Sequence, residues 1–260
     1  MPQKLNHLLA LDIGNTNTVA GLFQKGKLLK SWRLMTVRER TADEHAVLLK
    51  SLISLGGFDH LSIDSIALSC VVPPLLPSIK EMSTEYFHCE PFIVQPGIKT
   101  GMPILIEHPQ EVGADRIVHS VAGFHIYGGP CIVIDLGTAT TFDAVSAKGE
   151  YLGGIIAPGM MISAEALFQR TAKLPRVEIK EPQEVIGRST VGAMQSGIFY
   201  GYLGLIEKIV TLLQEELGSS TTTIATGGLS GLIARRTDKV QHSDPDLILK
   251  GLQILFDMNQ

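Results

Sequence analysis

The chain has 260 residues, 45% of them hydrophobic and 18% charged, with a formal net charge of −4. That is ample apolar material for one large core or two linked ones, which excludes a disordered chain, and no basic stripe with interleaved aromatics invites nucleic acid. Cys70, Cys89 and Cys131 show no metal-ligand spacing, and their odd, sparse count builds no disulfide framework. Cys70 and Cys131 lie in apolar runs and read as small core residues. The eight histidines are scattered without the paired spacing of a transition-metal site.

In chain order, the apolar run Leu8 to Leu11 reads as a strand ending at Asp12. It is too short for a signal-peptide core, and no run approaches the roughly 18 apolar residues of a membrane span. The expectation is a soluble, cytoplasmic protein without membrane contact. A second and a third strand follow, joined at Lys25-Gly26, which reads as a hairpin turn. A helix is predicted over Ala42–Leu55, with Thr41 as N-cap and Ala46, Leu49 and Ile53 on one face. The β-branched run Ile66–Val72 stops at Pro73-Pro74. A helix near Leu76–Phe87 and a strand at Phe92–Val94 come next. Gly97, Gly101, Pro103 and Pro109 make a loop of 97–112, and the boundary between lobes 1–112 and 113–260 is placed there. The second lobe opens with a helix, Ala114–Tyr127, ended by Gly128-Gly129. Its later helices are expected around Ile162–Leu174, stopped by Pro175, then over Ser189–Glu216 and Asp246–Met258. A strand lies at Thr222–Thr226.

One internal pattern organises these elements. LLALDIGNTNT at 8–18 is echoed by CIVIDLGTATT at 131–141. The same spacing separates Asp12 from Asp135, Gly14 from Gly137, Thr18 from Thr141, and Lys25-Gly26 from Lys148-Gly149. Several features in register at one spacing indicate an internal duplication. Each half starts as strand, Asp-Gly-Thr turn, strand, Lys-Gly turn, strand, and then a helix. The fold class is therefore α/β, with mixed sheets flanked by helices. A duplicated unit of this kind resembles the actin and sugar kinase superfamily, in which two ribonuclease-H-like (actin-like) lobes close around ATP.

Five segments can carry chemistry. In Asp12-Ile13-Gly14-Asn15-Thr16-Asn17-Thr18, a glycine lets the backbone approach a phosphate. Asn15, Thr16 and Thr18 add donors there, and Asp12 at the strand end can hold hydrated Mg²⁺. The plainer reading is an ordinary Asn/Thr-rich turn, and the echo at Asp135–Thr141 weighs against it. Gly113-Ala114-Asp115-Arg116 puts Asp115 in the first turn of a helix, where the dipole favours the carboxylate that a general base needs. Arg116 beside it suits a carboxylate or phosphate. Asp at a helix start is also a common cap. Gly153 to Gly159 leads from the second hairpin to the next helix, as a pocket wall or merely a bend. Ala225 to Ser230 places paired glycines after a strand, suited to nucleotide contact or to a tight turn.

Taken together, DIGNTNT, VGADR, DLGTATT, GGIIAPG, GRSTVGAMQSG and TGGLS stand in the order found in type III pantothenate kinases and span residues 12–230. The chain resembles that family. The resemblance implies that Asp12, Ile13, Gly14, Asn15, Thr16, Asn17, Thr18 and Val19 form the first ATP-phosphate segment, with Thr138 a further ATP contact. It implies that Gly113, Ala114, Asp115 and Arg116 contact pantothenate, with Asp115 the catalytic base, and that Thr190 is another pantothenate contact. It also implies Asp135 as the ligand of a monovalent cation, K⁺ or NH₄⁺, alongside Mg²⁺, and a homodimer closing the pantothenate pocket. The chain departs from the family where Ile106 and His108 stand for Tyr and Asn. Ile106 at the substrate wall implies one hydrogen bond fewer.

The reaction expected is phosphorylation of pantothenate by ATP, the first step towards coenzyme A. No GxxxxGK[ST] P-loop is present, which argues against a Walker-type mechanism. Two alternatives stand beside it: another superfamily phosphotransferase or hydrolase (a sugar kinase or an exopolyphosphatase-like enzyme), and a non-enzymatic regulator on the same fold. The intact set of Asp12, Asp115 and Asp135 argues against the regulator.

Overall fold

The computed structural model describes residues 7–260, and their backbone forms two compact units. The first takes the described part of Met1–Gly101, then His108–Ala122 and Asp246–Gln260; the second takes Met102–Glu107 and Gly123–Pro245. As halves of the duplication, 1–112 and 113–260 stand as a proposal; the compact units follow a different line.

The first unit holds β1 (His7–Ile13), β2 (Asn17–Gln24), β3 (Lys27–Met35), β4 (Ile63–Cys70) and β5 (Phe92–Ile93). They form one sheet in the order β3-β2-β1-β4-β5. The β1-β2 and β2-β3 pairs are antiparallel, while β4 and β5 run parallel, so the sheet is mixed. The turn at Lys25-Gly26 has both residues at positive φ, 50° and 76°, the geometry that matches the twist of a two-residue hairpin. Central β1 is apolar on both sides, as a strand covered on both faces must be. Leu9, Leu11 and Ile13 point into a core shared with α1 (Ala42–Leu55) and α2 (Leu76–Phe87). The opposite face carries the C-terminal helix α7 (Leu247–Met258), whose Leu249 lies against Gly21 of β2.

Helix α1 begins as the sequence predicts. Thr41 accepts from the Glu44 N–H, and Glu44 reaches back to the Thr41 N–H at 2.8 Å, a capping box that contributes about 1 kcal/mol. Its buried face comprises Ala42, His45, Ala46, Leu49 and Ile53. Losing the Ile53 side chain beyond Cβ from this core would cost about 2–5 kcal/mol. His45 is the polar intruder. Burial, reinforced by the Arg40 guanidinium and only partly opposed by Glu44, pushes its imidazole down from 6.5 to about 4. Between those values the unfolded chain binds a proton that the folded chain refuses. Stability is therefore intact above pH 6.5 and falls as the pH drops towards 4. Relaxation around the buried ring keeps the loss on the order of 1–3 kcal/mol. Urea midpoints of wild type and His45→Leu, compared at neutral pH and in that acid window, should show wild type losing stability relative to the variant on acidification. Parallel pH profiles would contradict the assignment to His45.

The second unit repeats the plan. β6 (Cys131–Leu136), β7 (Ala139–Val145), β8 (Tyr151–Pro158), β9 (Thr222–Thr226) and β10 (His242–Ser243) form a sheet in the order β10-β9-β6-β7-β8. Read from β8, this is the order and direction of the first sheet. Ile132, Ile134 and Leu136 face a core built with α4 (Met160–Arg170) and α5 (Thr190–Leu217). Between Val145 and Tyr151 the connection is longer than its counterpart in the first unit, and the Ser146 hydroxyl takes up the Lys148 and Glu150 N–H groups. Helix α4 ends before the predicted stop at Pro175. Thr171 is extended, donates to the Leu167 carbonyl and accepts from the Leu174 N–H, which closes the helix locally. The short α6 (Ser230–Ala234) follows β9.

Helix α5 buries Met194, Ile198, Phe199, Tyr202, Ile206, Val210 and Leu213, a stripe at helical spacing. By length and composition it is also the one helix among the described residues apolar enough to cross a membrane. The expectation that no run approaches a span is corrected on that point. Its apolarity has a use within the unit, because the stripe from Ile198 to Leu213 belongs to the core.

Helix α3 (Ala114–Tyr127) starts in the first unit and ends in the second. Val118 touches Gly251 of α7, whereas Gly123 lies against Val133 of β6. A single cut in the sequence cannot reproduce this division.

Candidate active site

The first unit contributes the turn after β1. The Gly14 N–H donates to the Asn17 carbonyl at 3.0 Å, closing the hairpin around exposed Asn15 and Thr16. Asp12 is half-buried at the end of the strand. The side chains of Ile13 and Val19 are buried, so these two residues face a ligand only through backbone. Thr18 is buried as well, its Oγ1 3.0 Å from Thr36 Oγ1. Thr36, which directly follows β3, donates its hydroxyl to the Gly14 carbonyl at 2.8 Å and its N–H to the Thr16 carbonyl at 3.0 Å. Sequence reasoning missed Thr36, although its place right after the third strand of the repeat was a signal. Cys70, in register with Ile13, donates its thiol to the Val72 carbonyl at 3.3 Å; burial pushes its pKa up, which leaves it a weak nucleophile.

The same unit holds the start of α3. The Gly113 carbonyl accepts from the Arg116 and Ile117 N–H groups, so Gly113 opens the helix. Asp115, half-buried, accepts from the Arg116 N–H through Oδ1 at 2.8 Å. A Cβ on Gly113 would stand 2.5 Å from that oxygen, so the glycine makes room for the carboxylate. One oxygen of Asp115 is thus held in place by backbone, an arrangement suited to aiming the other.

In the second unit three sequence motifs converge. Asp135 is the penultimate residue of β6, with Gly137 and Thr138 in the turn beyond it. Gly159, directly after β8, donates its N–H to the Thr138 carbonyl at 3.1 Å. The glycine pair after β9 closes on the same turn. Gly227 sits at φ +89°, and a Cβ there would lie 2.6 Å from Asp135 Oδ1 and 2.8 Å from the Leu136 carbonyl oxygen. Ser230 pins this turn by donating its hydroxyl to the Gly227 carbonyl at 2.9 Å. So 153–159 and 225–230, ambiguous as sequence, both brace the second Asp-Gly-Thr turn.

Thr190 lies exposed at the first position of α5, beside the N-cap Ser189, whose side chain accepts from Gly192 at 3.1 Å. It borders a groove of about 1030 Å³ that runs along α5 past Met194, Ile198 and Tyr202 to Leu167 of α4. Ile106 is half-buried in the second unit and rests on the open face of Gly153, 3.5 Å from where its Cβ would be. His108 falls in the first unit.

Among the described residues no three His, Cys, Asp or Glu side chains group to cage a metal. Magnesium on a nucleotide needs no such cage, since it keeps water and takes one or two carboxylates plus phosphate oxygens. Asp12 offers one such carboxylate. Around Asp135 the neighbouring donors are oxygens: its carboxylate and the Leu136 carbonyl both pack closely against Gly227, which leaves no room for a side chain there.

Residues 8–212 match the family model for type III pantothenate kinase. A type III pantothenate kinase from Koribacter versatilis is 52% identical over 263 aligned residues, 97% of this chain and 96% of that one. Another from Syntrophobacter fumaroxidans is 50% identical, covering 97% and 98%. Among solved structures, a candidate Baf family transcriptional activator from Campylobacter jejuni superposes with a TM-score of 0.58 at 22% identity, covering 96% of this chain and 98% of that one. The polyphosphate/ATP-glucomannokinase of Arthrobacter gives 0.50 at 16% identity, covering 98% and 100%; these two likenesses speak for the actin-like fold alone. With family match and relatives running nearly end to end, this chain belongs to the type III pantothenate kinase family.

Proposed function

We infer that the protein transfers the γ-phosphoryl group of ATP to pantothenate, giving 4′-phosphopantothenate and ADP at the entry to coenzyme A synthesis. The observation that carries this is the family match over residues 8–212. In our reading Asp115 is the base. The pantothenate hydroxyl oxygen attacks the γ-phosphorus, the bond from phosphorus to the β,γ-bridging oxygen breaks, and the hydroxyl proton passes to the Asp115 carboxylate. Gly113, Ala114, Arg116 and Thr190 orient the substrate, with Ile106 giving an apolar wall. Asp12 to Val19 and Thr138 position the triphosphate. Little covalent work falls to the protein, so positioning and charge stabilisation supply the rate.

Bound Mg²⁺ would offset phosphate charge from Asp12, and K⁺ or NH₄⁺ would be held by Asp135. Without a P-loop lysine, these cations are the means of balancing the carboxylates and the triphosphate. The reading also includes a cytoplasmic homodimer. Met161, Ile162, Leu167 and Phe168 of α4 and Val185, Ile186 and Val191 before and within α5 expose apolar surface in the second unit, which a second copy would cover. Light scattering that finds an active monomer would remove this part.

A coupled assay of ADP release tests the whole. Pantothenate should be required, and sugars or polyphosphate should not replace it. At matched ionic strength KCl and NH₄Cl should support turnover, whereas NaCl and choline chloride should not. Equal rates in all four salts would reject the cation site, and indifference to pantothenate would reject the function.

A further inference from the structure

Thr36 lies outside every motif of the sequence, yet it touches three residues of the Asp12–Thr18 turn. Counting protons fixes the direction of each bond. A threonine hydroxyl has one proton and two lone pairs, and a carbonyl only accepts. The Thr36 proton is therefore given to the Gly14 carbonyl at 2.8 Å. The contact between Thr18 and Thr36 at 3.0 Å then requires Thr18 to be the donor. Thr18, which is buried, spends its proton inward on Thr36 rather than on a ligand.

The relay runs from Thr18 to Thr36 to Gly14, and it ends on a peptide group. Peptide planes are rigid and trans, so holding the Gly14 oxygen fixes the Asn15 N–H pointing the opposite way. Asn15 is exposed. If this peptide flipped, the carbonyl would occupy the place of the N–H, and a phosphate would meet an oxygen instead of a donor. The Thr36 N–H holds the Thr16 carbonyl in the same manner at 3.0 Å. In the second unit the residue directly after the third strand is Gly159, which likewise gives its N–H to the turn but has no side chain to add. The first turn is braced by a hydroxyl, and the second by direct backbone approach.

We propose that Thr36 is a positioning residue for ATP, its hydroxyl locking the Gly14–Asn15 peptide so that the Asn15 N–H is presented to phosphate. This rests on the reading of Asp12–Val19 as the phosphate segment. Thr36→Val keeps the shape and removes the hydroxyl; Thr36→Ser keeps the hydroxyl. Thr36→Val should raise the ATP KM about tenfold, equivalent to one lost hydrogen bond, and leave the pantothenate KM within about twofold. Thr36→Ser should restore wild-type values. Titration calorimetry should show ATP affinity falling in Thr36→Val while adenosine, which has no phosphate, binds as before. Thr36→Ala is the second hydroxyl-free variant if Val does not fold. Equal impairment of Val and Ser variants, or equal weakening of ATP and adenosine, would overturn the proposal in favour of packing. Asp12→Asn separates the two levels. A normal Thr36→Val beside a defective Asp12→Asn defeats Thr36 alone, and wild-type ATP kinetics in both defeat the phosphate reading with it.

Discussion

Asp115→Asn is expected to lower kcat by about 10²–10⁴-fold, the range for losing a general base. The substitution is nearly isosteric, and an amide oxygen can still accept from the Arg116 N–H that holds Asp115 Oδ1 at 2.8 Å. The start of α3 should therefore persist, with thermal stability and pantothenate KM close to wild type. What disappears is a group able to take the hydroxyl proton as the phosphorus–oxygen bond forms. Steady-state kinetics and a thermal melt on the same preparation check both halves of the expectation. Turnover near wild type would assign the base elsewhere. A melt lowered as steeply as the rate would make Asp115 a helix cap instead.

Gly159→Ala is expected to damage both stability and nucleotide use. The glycine has φ −80° and ψ 160°, a conformation that alanine adopts freely, so the backbone itself is not the obstacle. The obstacle is space. A Cβ would stand 2.2 Å from the Thr138 carbonyl oxygen and 2.5 Å from that of Gly137. Both are backbone atoms of the second turn and cannot swing aside as a side chain would. Relief requires the turn to move away, breaking the Gly159 N–H to Thr138 bond. Overpacking of this kind costs about 1–3 kcal/mol. A displacement on the scale of an ångström at a positioning element costs about 10²-fold in kcat/KM. Denaturant midpoints and kcat/KM for ATP should both fall. An alanine variant with wild-type values for both would mean that the second turn has slack and does not position nucleotide.

Part of this molecule is written in short stretches of sequence. The two Asp-Gly-Thr turns announce themselves because a continuous apolar run, an Asp near its end and a glycine are local signals, and their recurrence at one spacing shows the duplication. The structure returns that repeat as two five-stranded sheets of the same order. Thr41 as N-cap of α1, and the helix face of Ala46, Leu49 and Ile53, are legible for the same reason: a cap and a helical period are decided within a few residues of the chain.

Other features exist only once distant segments meet. Helix α3 gives Val118 to one unit and Gly123 to the other, and α7 returns from the end of the chain to cover the first sheet. The long helix looks apolar enough for a membrane until its stripe is seen inside a core. Gly159 and Gly227 read as generic turns until Thr138 and Asp135 are placed against them. Thr18 reads as an outward donor until Thr36 takes its proton. Dihedral preference and hydrophobic period act between near neighbours, so sequence alone determined most strands, most helices and the two turns. Steric exclusion and the assignment of each hydroxyl proton depend on atoms brought together from remote parts of the chain, so the bracing of those turns was decided by the tertiary structure.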